Sequence, residues 1–476
     1  MTRIGWRRAF GLVAWLGVLS NMACHSRPAS EPQLARAGSD SQRSSAANRH
    51  ITALSSTRGG ADTLTAAPVR SELERVQLAP AVHQIARLRG WPPPSTLTVD
   101  EVAPHELRQW LSAELDEQVP KSVTNLQDHG LSLIGVLPHG FHSSEAVLDA
   151  FAETIQGAYL TSRSRIALRR GLVPDDVRSV LSHEVVHAYQ DQLYGLGGDL
   201  RFRPRHGDTV AALHALAEGE AAHVEREVGR TDLGSDEVNF SDERFEAQLD
   251  HVTSNLELPR VVARSLIAPY RDGHRFVSYL RRVGRWELVD AVWRRGVANT
   301  AEVLHPERWI DSNLGLAPAP NASLPIASRL PTLQKPAEVI WEEVLGEQGL
   351  RILLEEVESP QKAAVLASSW RDDTIWLSRT AAGERLAWHL RADQGSEARA
   401  LEHALRGLLQ RSPRSPSTCV STAAANVAVM AQNRDILVVA SGQVDTGAGP
   451  RPRIACRHLL SWGLEALTQL SISTRN

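Results

Sequence analysis

Apolar residues at Leu73, Val76, Val82, Ile85 and Leu88 keep the three-and-four spacing of one helix face, so ordered structure is expected from about Ser71. A short extended piece, TLTVDEV, then leads into a second helical run, PHELRQWLSAELDEQV. The apolar stretch LSLIGVLP follows, and after it a third helical pattern, EAVLDAFAETIQ. AYLTSRSRIALRR reads as two short β pieces around a polar Ser-Arg-Ser turn. Pro174 suits a first helical turn and is backed by Asp175 and Asp176, whose charges favour a helix N-terminus. The helix they open should stop by the Gly195, Gly197 and Gly198 cluster.

Between Asn313 and Pro336 prolines recur and no period survives, which marks a linker over residues 313–336. Beyond it TIWLS, ERLAWHL and NVAVMAQNRDILVVAS read as strands, and EARALEHALRGLLQ reads as a helix between them. The expected fold class is therefore α+β: a helix-rich domain over residues 71–312 and a smaller α+β domain over 337–476. No internal repeat is visible.

Composition changes this picture little. Hydrophobic residues make up 42% and charged residues 22% of 476, ordinary for a chain that buries a sizeable core. A formal net charge of -3 leaves no basic field over the whole chain, so no nucleic-acid partner is expected.

The first residues change it more. Arg3, Arg7 and Arg8 precede the short apolar run Ala9–Leu19, the pattern of a signal peptide over residues 1–23 and too short for a membrane span. Met22-Ala23-Cys24 resembles a lipobox, which makes Cys24 the expected lipidation site; Asn21 departs from the pattern, and simple secretion is the plainer alternative. Arg7-Arg8 also leaves twin-arginine export open beside the general route. Residues 24–70 are rich in Ser, Ala, Arg, Gly and Pro without apolar period, as in a disordered tether. The chain is thus expected to be exported and to touch a membrane through a lipid anchor only. With Cys24 lipidated, Cys419 and Cys456 remain as a pair: either a disulfide or two buried small hydrophobes.

The candidate chemistry lies in LSHEVVHAYQDQ, Leu181–Gln192. Residues four apart share a helix face, so His183 and His187 can present both imidazoles to one zinc ion. Glu184 lies beside them as a general base for a water on the metal. The motif alone is weak evidence, since shuffling a chain with this many histidines yields HExxH roughly once in twenty tries. A third ligand is available in AALHALAEGEAAHVE. Glu218 is favoured because Ala217, Gly219, Ala221 and Ala222 would allow close helix approach; Glu220, His214 and Glu225 are the alternatives. Asp191, four residues after His187, is either a carboxylate orienting that ring or a solvated helix residue.

HEVVHAYQDQ followed by ALAEGEA resembles the gluzincin pattern, in which a Glu-Gly-x-Ala helix supplies the third ligand. More specifically, the chain resembles a largely uncharacterised group of exported or lipid-anchored bacterial zinc metallopeptidases. The likeness is carried by the hairpin GAYLTSRSRIAL, by Pro269, Tyr270, Gly273, Phe276 and Val277 in APYRDGHRFVSYL, and by Leu304, His305, Pro306 and Glu307 in AEVLHPERW. SSWRDDTIWL and ERLAWHL fit more loosely, so the resemblance spans about residues 71–476. It implies a gluzincin-like core holding one Zn2+ on His183, His187 and Glu218 with Glu184 as base. It implies no particular substrate. Leu160 and the run Thr300-Ala301-Glu302 depart from the group's pattern.

An oxyanion formed on an amide needs a donor besides the metal. Tyr270, at an expected turn after Pro269, His305, His223 and Tyr189 are the candidates, each with a plainer structural role as alternative. Trp286 and Trp293 read as core. The expected function is an envelope zinc metallopeptidase acting on a protein or peptide substrate, with the C-terminal domain orienting substrate or recruiting partners. A lipoprotein that uses a metallopeptidase fold only for binding or assembly is the alternative. Cell-wall peptide amides are a lesser one.

Overall fold

The computed structural model describes residues 78–473 apart from 95–96, 152–154, 234–246, 248, 252–253, 314–337, 381–382, 411–418, 422–423 and 443–453. The expected signal peptide and tether, Cys24, the expected start of order at Ser71 and nearly all of the expected Pro-rich linker lie outside the described residues. The molecule is helix-rich with a separate β-sheet region, an α+β arrangement.

Helix α1 (Ala79–Arg89) stops at Gly90, whose φ of 69° suits a residue without Cβ. Strand β1 (Thr98–Val102) leads into α2 (Pro104–Gln118), where the Glu106 carboxylate accepts from the Ala103 N–H and closes the first turn. Helices α3 (Lys121–Leu133) and α4 (Ser143–Phe151) precede the hairpin β2 (Gly157–Leu160) and β3 (Arg165–Arg169). The small sheet has the order β1-β3-β2, with β1 parallel and β2 antiparallel to β3. It leaves β2 at an edge.

Helix α5 (Pro174–Tyr194) carries HEVVH. It opens on Pro174 with Asp175 and Asp176 in its first turn and closes at Gly195 with φ 76°. Every residue from Val180 to Gln190 is buried, so the helix is enclosed on all sides. A short α6 (Leu196–Asp199) links it to α7 (Gly207–Leu233), which carries Glu218, and α8 (Arg260–Arg295) packs along α7. A kink at Gly284 and Arg285 divides α8 into two helical pieces. The first sheet and these helices meet closely: a Cβ at Gly157 would stand 2.6 Å from the Val180 side chain.

Helices α9 (Thr300–Leu304) and α10 (Pro306–Asn313) come before the larger sheet. That sheet holds β4 (Glu338–Glu343), β5 (Trp370–Thr380), β6 (Gly383–Ala392), β7 (Cys419–Ser421), β8 (Ala425–Gln432) and β9 (Asp435–Gly442) in the order β4-β5-β6-β9-β8-β7, antiparallel throughout. Helices α11 (Gly346–Leu354), α12 (Pro360–Ala367), α13 (Gly395–Gln410) and α14 (Cys456–Ser473) complete it. Cys419 and Cys456 form a disulfide, their Cα atoms 5.8 Å apart, tying β7 to α14.

The two regions flanking the linker share one hydrophobic cluster, running from Leu107 and Leu131 through Leu216 and Phe276 to Trp341, Leu386 and Val438. Gly130 of α3 lets the ring of Trp341 and the side chain of Leu386 come against the helix, where a Cβ would stand 3.2 Å from each. Among the described residues no helix is long and apolar enough to cross a membrane.

Candidate metal centre

His183 and His187 project from one face of α5 toward Glu218 of α7. The two Nε2 atoms are 3.1 Å apart, and Glu218 Oε2 lies 3.2 Å from that of His183 and 3.6 Å from that of His187. All three residues are fully buried. They are the one group of three such side chains, among the described residues, that could hold a metal ion.

The partners on the far side of each ring decide what these atoms offer. Gln190 Nε2 donates to Ala217 O (3.1 Å), and a backbone carbonyl can only accept. The amide is therefore oriented, and its Oε1 must accept the Nδ1 hydrogen of His187 (2.8 Å). Glu225 Oε2, which also only accepts, lies 3.3 Å from His183 Nδ1. The hydrogen held on His187 Nδ1 leaves its Nε2 lone pair facing the His183 ring and a carboxylate. Glu218 Oε1 has no hydrogen-bond partner among the described residues. Acceptors crowded this way need positive charge between them, a metal ion or a proton. The electrostatics follow that demand. Burial opposes the charged forms of both His183 and Glu218, yet the pairing outweighs it. The His183 pKa is driven well up by Glu218 and Glu225, and that of Glu218 down to about 2 by His187 and His183.

Gln190 is itself held. Its Nε2 also donates to Glu220 Oε2 (2.9 Å). Glu220 in turn accepts from Trp293 Nε1 (2.8 Å) and from Arg89 (2.6 and 3.0 Å). The Arg89 guanidinium lies between the rings of Trp91 and Trp286, 4.1 and 3.9 Å from their centroids, and also reaches Asp290. A buried relay thus runs from Arg89 through Glu220 and Gln190 to the His187 ring.

Glu184 is fully buried beside the imidazoles, and its Oε2 accepts from the Tyr159 N–H of edge strand β2 (2.7 Å). Burial raises its pKa against the pull of His183 and His187. A carboxyl poised upward suits a group that must both take and give a proton.

Several expectations need correction. Asp191 does not orient His187: it accepts from the Tyr159 hydroxyl (2.9 Å) and the Gly197 N–H (2.8 Å), fastening the hairpin and the turn after α5. The residue at three positions, Gln190, takes the role expected of the residue at four. Tyr270 is not at a turn. Pro269 lies inside α8, and Tyr270 is fully buried in the helix interior, its ring centroid 6.4 Å from that of His183. Its phenol is therefore beside the site, though reached by another route. Among the alternative ligands, Glu220 belongs to the Arg89 relay and Glu225 backs His183 from behind. His214 stays outside the ligand group. It is fully buried one turn before Glu218, and burial pushes its pKa down to about 4 against the attraction of Glu218.

The other oxyanion candidates are engaged elsewhere. His305 Nε2 pairs with Glu347 (2.7 Å), Tyr189 donates to Val82 O (3.2 Å), and His223 lies against Arg281 and Glu227. Trp293 is buried and Trp286 partly so.

No family model, curated protein or solved structure matches the chain.

Proposed function

We propose that this chain is a zinc-dependent metallopeptidase of the cell envelope, with His183, His187 and Glu218 as ligands and Glu184 as general base. The observation that carries the reading is the convergence of two imidazole Nε2 atoms and a buried carboxylate oxygen at 3.1–3.6 Å. Tetrahedral zinc with bonds of about 2.0–2.1 Å separates its ligand atoms by roughly 3.3–3.4 Å, so the donor set fits. The gluzincin resemblance and the export pattern of residues 1–23 support the class and the location. Zinc bound there supplies Lewis acidity, polarising an amide carbonyl and acidifying a water. The remaining work falls to the chain. Glu184 accepts a proton from the attacking water and returns it to the leaving amine nitrogen, while the Tyr159 N–H fixes its carboxylate. Gln190 keeps the His187 hydrogen on Nδ1, and Glu225 lies behind the His183 ring.

One observation favours a second reading. His183, Glu184, His187 and Glu218 are all closed to solvent, as in a metal site that stiffens a binding or assembly module.

Zinc content and peptide hydrolysis of the full chain separate the two. Wild type and Glu184→Gln should each hold one zinc per chain, and His187→Ala and Glu218→Ala should hold none. Wild type should cleave a mixed peptide library, and Glu184→Gln should lose at least about a thousandfold in kcat, as removal of a proton-transfer group does. Zinc without hydrolysis in wild type leaves the binding module; no zinc in wild type removes both.

A further inference from the structure

His214 has no hydrogen-bond partner on either ring nitrogen among the described residues. It is also 1% exposed, so water at the surface does not serve it. A buried imidazole with both nitrogens unmet is destabilising, and such groups are rare enough to need an explanation. Its neighbours supply one. His214 lies on α7 four residues before Glu218, hence on the same face, and the charges that act on it are those of Glu218 and His187, two members of the metal centre. The other buried histidines have partners: His183 and His187 as described, His274 with Arg226 at 2.7 Å, and His389 with Asp435 at 2.8 Å.

Resting on the proposed peptidase reading, we propose that His214 is a further catalytic residue: a neutral imidazole whose N–H donates to the amide carbonyl oxygen of the substrate at the metal centre, stabilising the oxyanion that develops there. The hydrogen bond missing from the resting chain is completed by the substrate. A neutral donor suits this task, because it adds no second cation beside the metal. Preorganised donors of this kind contribute roughly 10²–10³ in kcat.

The test compares the zinc-loaded full chain with His214→Phe and His214→Gln, using acetohydroxamate as a carbonyl-bearing probe of the centre. In His214→Phe we expect one zinc per chain, a thermal midpoint equal to or above wild type, and at least about tenfold weaker acetohydroxamate binding. His214→Gln, which keeps an N–H, should recover part of that affinity. Where wild type hydrolyses peptide, kcat should fall by roughly 10²–10³ with KM little changed. Unchanged probe affinity in His214→Phe overturns the proposal, as does loss of zinc, which would make His214 a ligand. A lowered midpoint without a change in probe affinity would make it a packing residue. If wild type holds zinc and binds the probe yet cleaves nothing, the peptidase reading falls while the probe comparison still decides the role of His214.

Discussion

The candidate metal centre on α5 and α7 and the acid-rich seam where α7 begins against the larger sheet both bury several charged groups, but the seam supplies N–H and hydroxyl donors to each of its acids. At the seam Asp373 receives four N–H donors: Leu345 and Gly346 from the backbone, each at 3.0 Å, and the indoles of Trp370 (2.9 Å) and Trp388 (3.0 Å). Asp208 accepts from the N–H and the hydroxyl of Thr300, and Glu343 accepts from the N–H groups of Gly207 and Val344. At the centre two imidazole Nε2 atoms and a carboxylate oxygen face one another. Among the described residues the seam answers Asp373 on both oxygens and leaves Glu343 Oε2 unanswered; the centre, with acceptors facing acceptors, is shaped for something to be added.

The largest expected effect belongs to the seam and depends on pH. Burial pushes Glu343 up to about 8 and Asp208 up to about 7, with neighbouring acids adding to both. A carboxyl whose folded pKa is raised binds its proton more tightly in the folded state. Its contribution is therefore fully present below the unfolded value of about 4.5 and is lost as pH rises toward 8, a change of several kcal/mol, on the order of 1.4 kcal/mol per unit. Denaturant unfolding at pH 5 and pH 9 should show stability falling with pH, and Glu343→Gln should flatten that fall. An equal fall in both proteins would place the titration elsewhere.

Next comes Asp373→Asn, which turns one acceptor oxygen into a donor facing two N–H groups. It should lower unfolding stability by about 4 kcal/mol and leave zinc per chain unchanged. Zinc lost from the folded variant would couple the two clusters, against the comparison drawn above.

The smallest effect is at the centre's own support. Gln190→Leu removes the acceptor that holds the His187 tautomer and should weaken zinc binding about 10–100-fold in competition with a chromophoric chelator. An unchanged affinity would mean that packing alone orients the ring.

Much of this was legible in the chain itself. Pro174, the paired aspartates and Gly195 bracket α5, and the four-residue repeat of His183 and His187 places both rings on one face. Glu218 was legible through its small neighbours, and one of them, Gly219, faces α8, where a Cβ would meet the Gly273 backbone. Gln190 escaped notice because an amide carries no charge to suggest a role, yet its spacing of three from His187 was in plain view. Strand β4 and helix α11 were harder to read. A buried acid, Glu343, interrupts the apolar alternation of EVIWEE, and GEQGLRILL begins with two glycines in four residues. Such signals depend on what lies across the interface, not on the local pattern.

The backbones of α7 and α8 come closest at Gly219 and Gly273. A Cβ on Gly219 would stand 2.2 Å from the Gly273 carbonyl, and one on Gly273 would stand 1.8 Å from Ala215 O. Gly219 directly follows Glu218, so two absent side chains set how far that carboxylate reaches toward the imidazoles. The spacing of the centre is thus measured by emptiness. Anyone transplanting this site into another scaffold would have to copy, along with four buried side chains, a place where nothing projects.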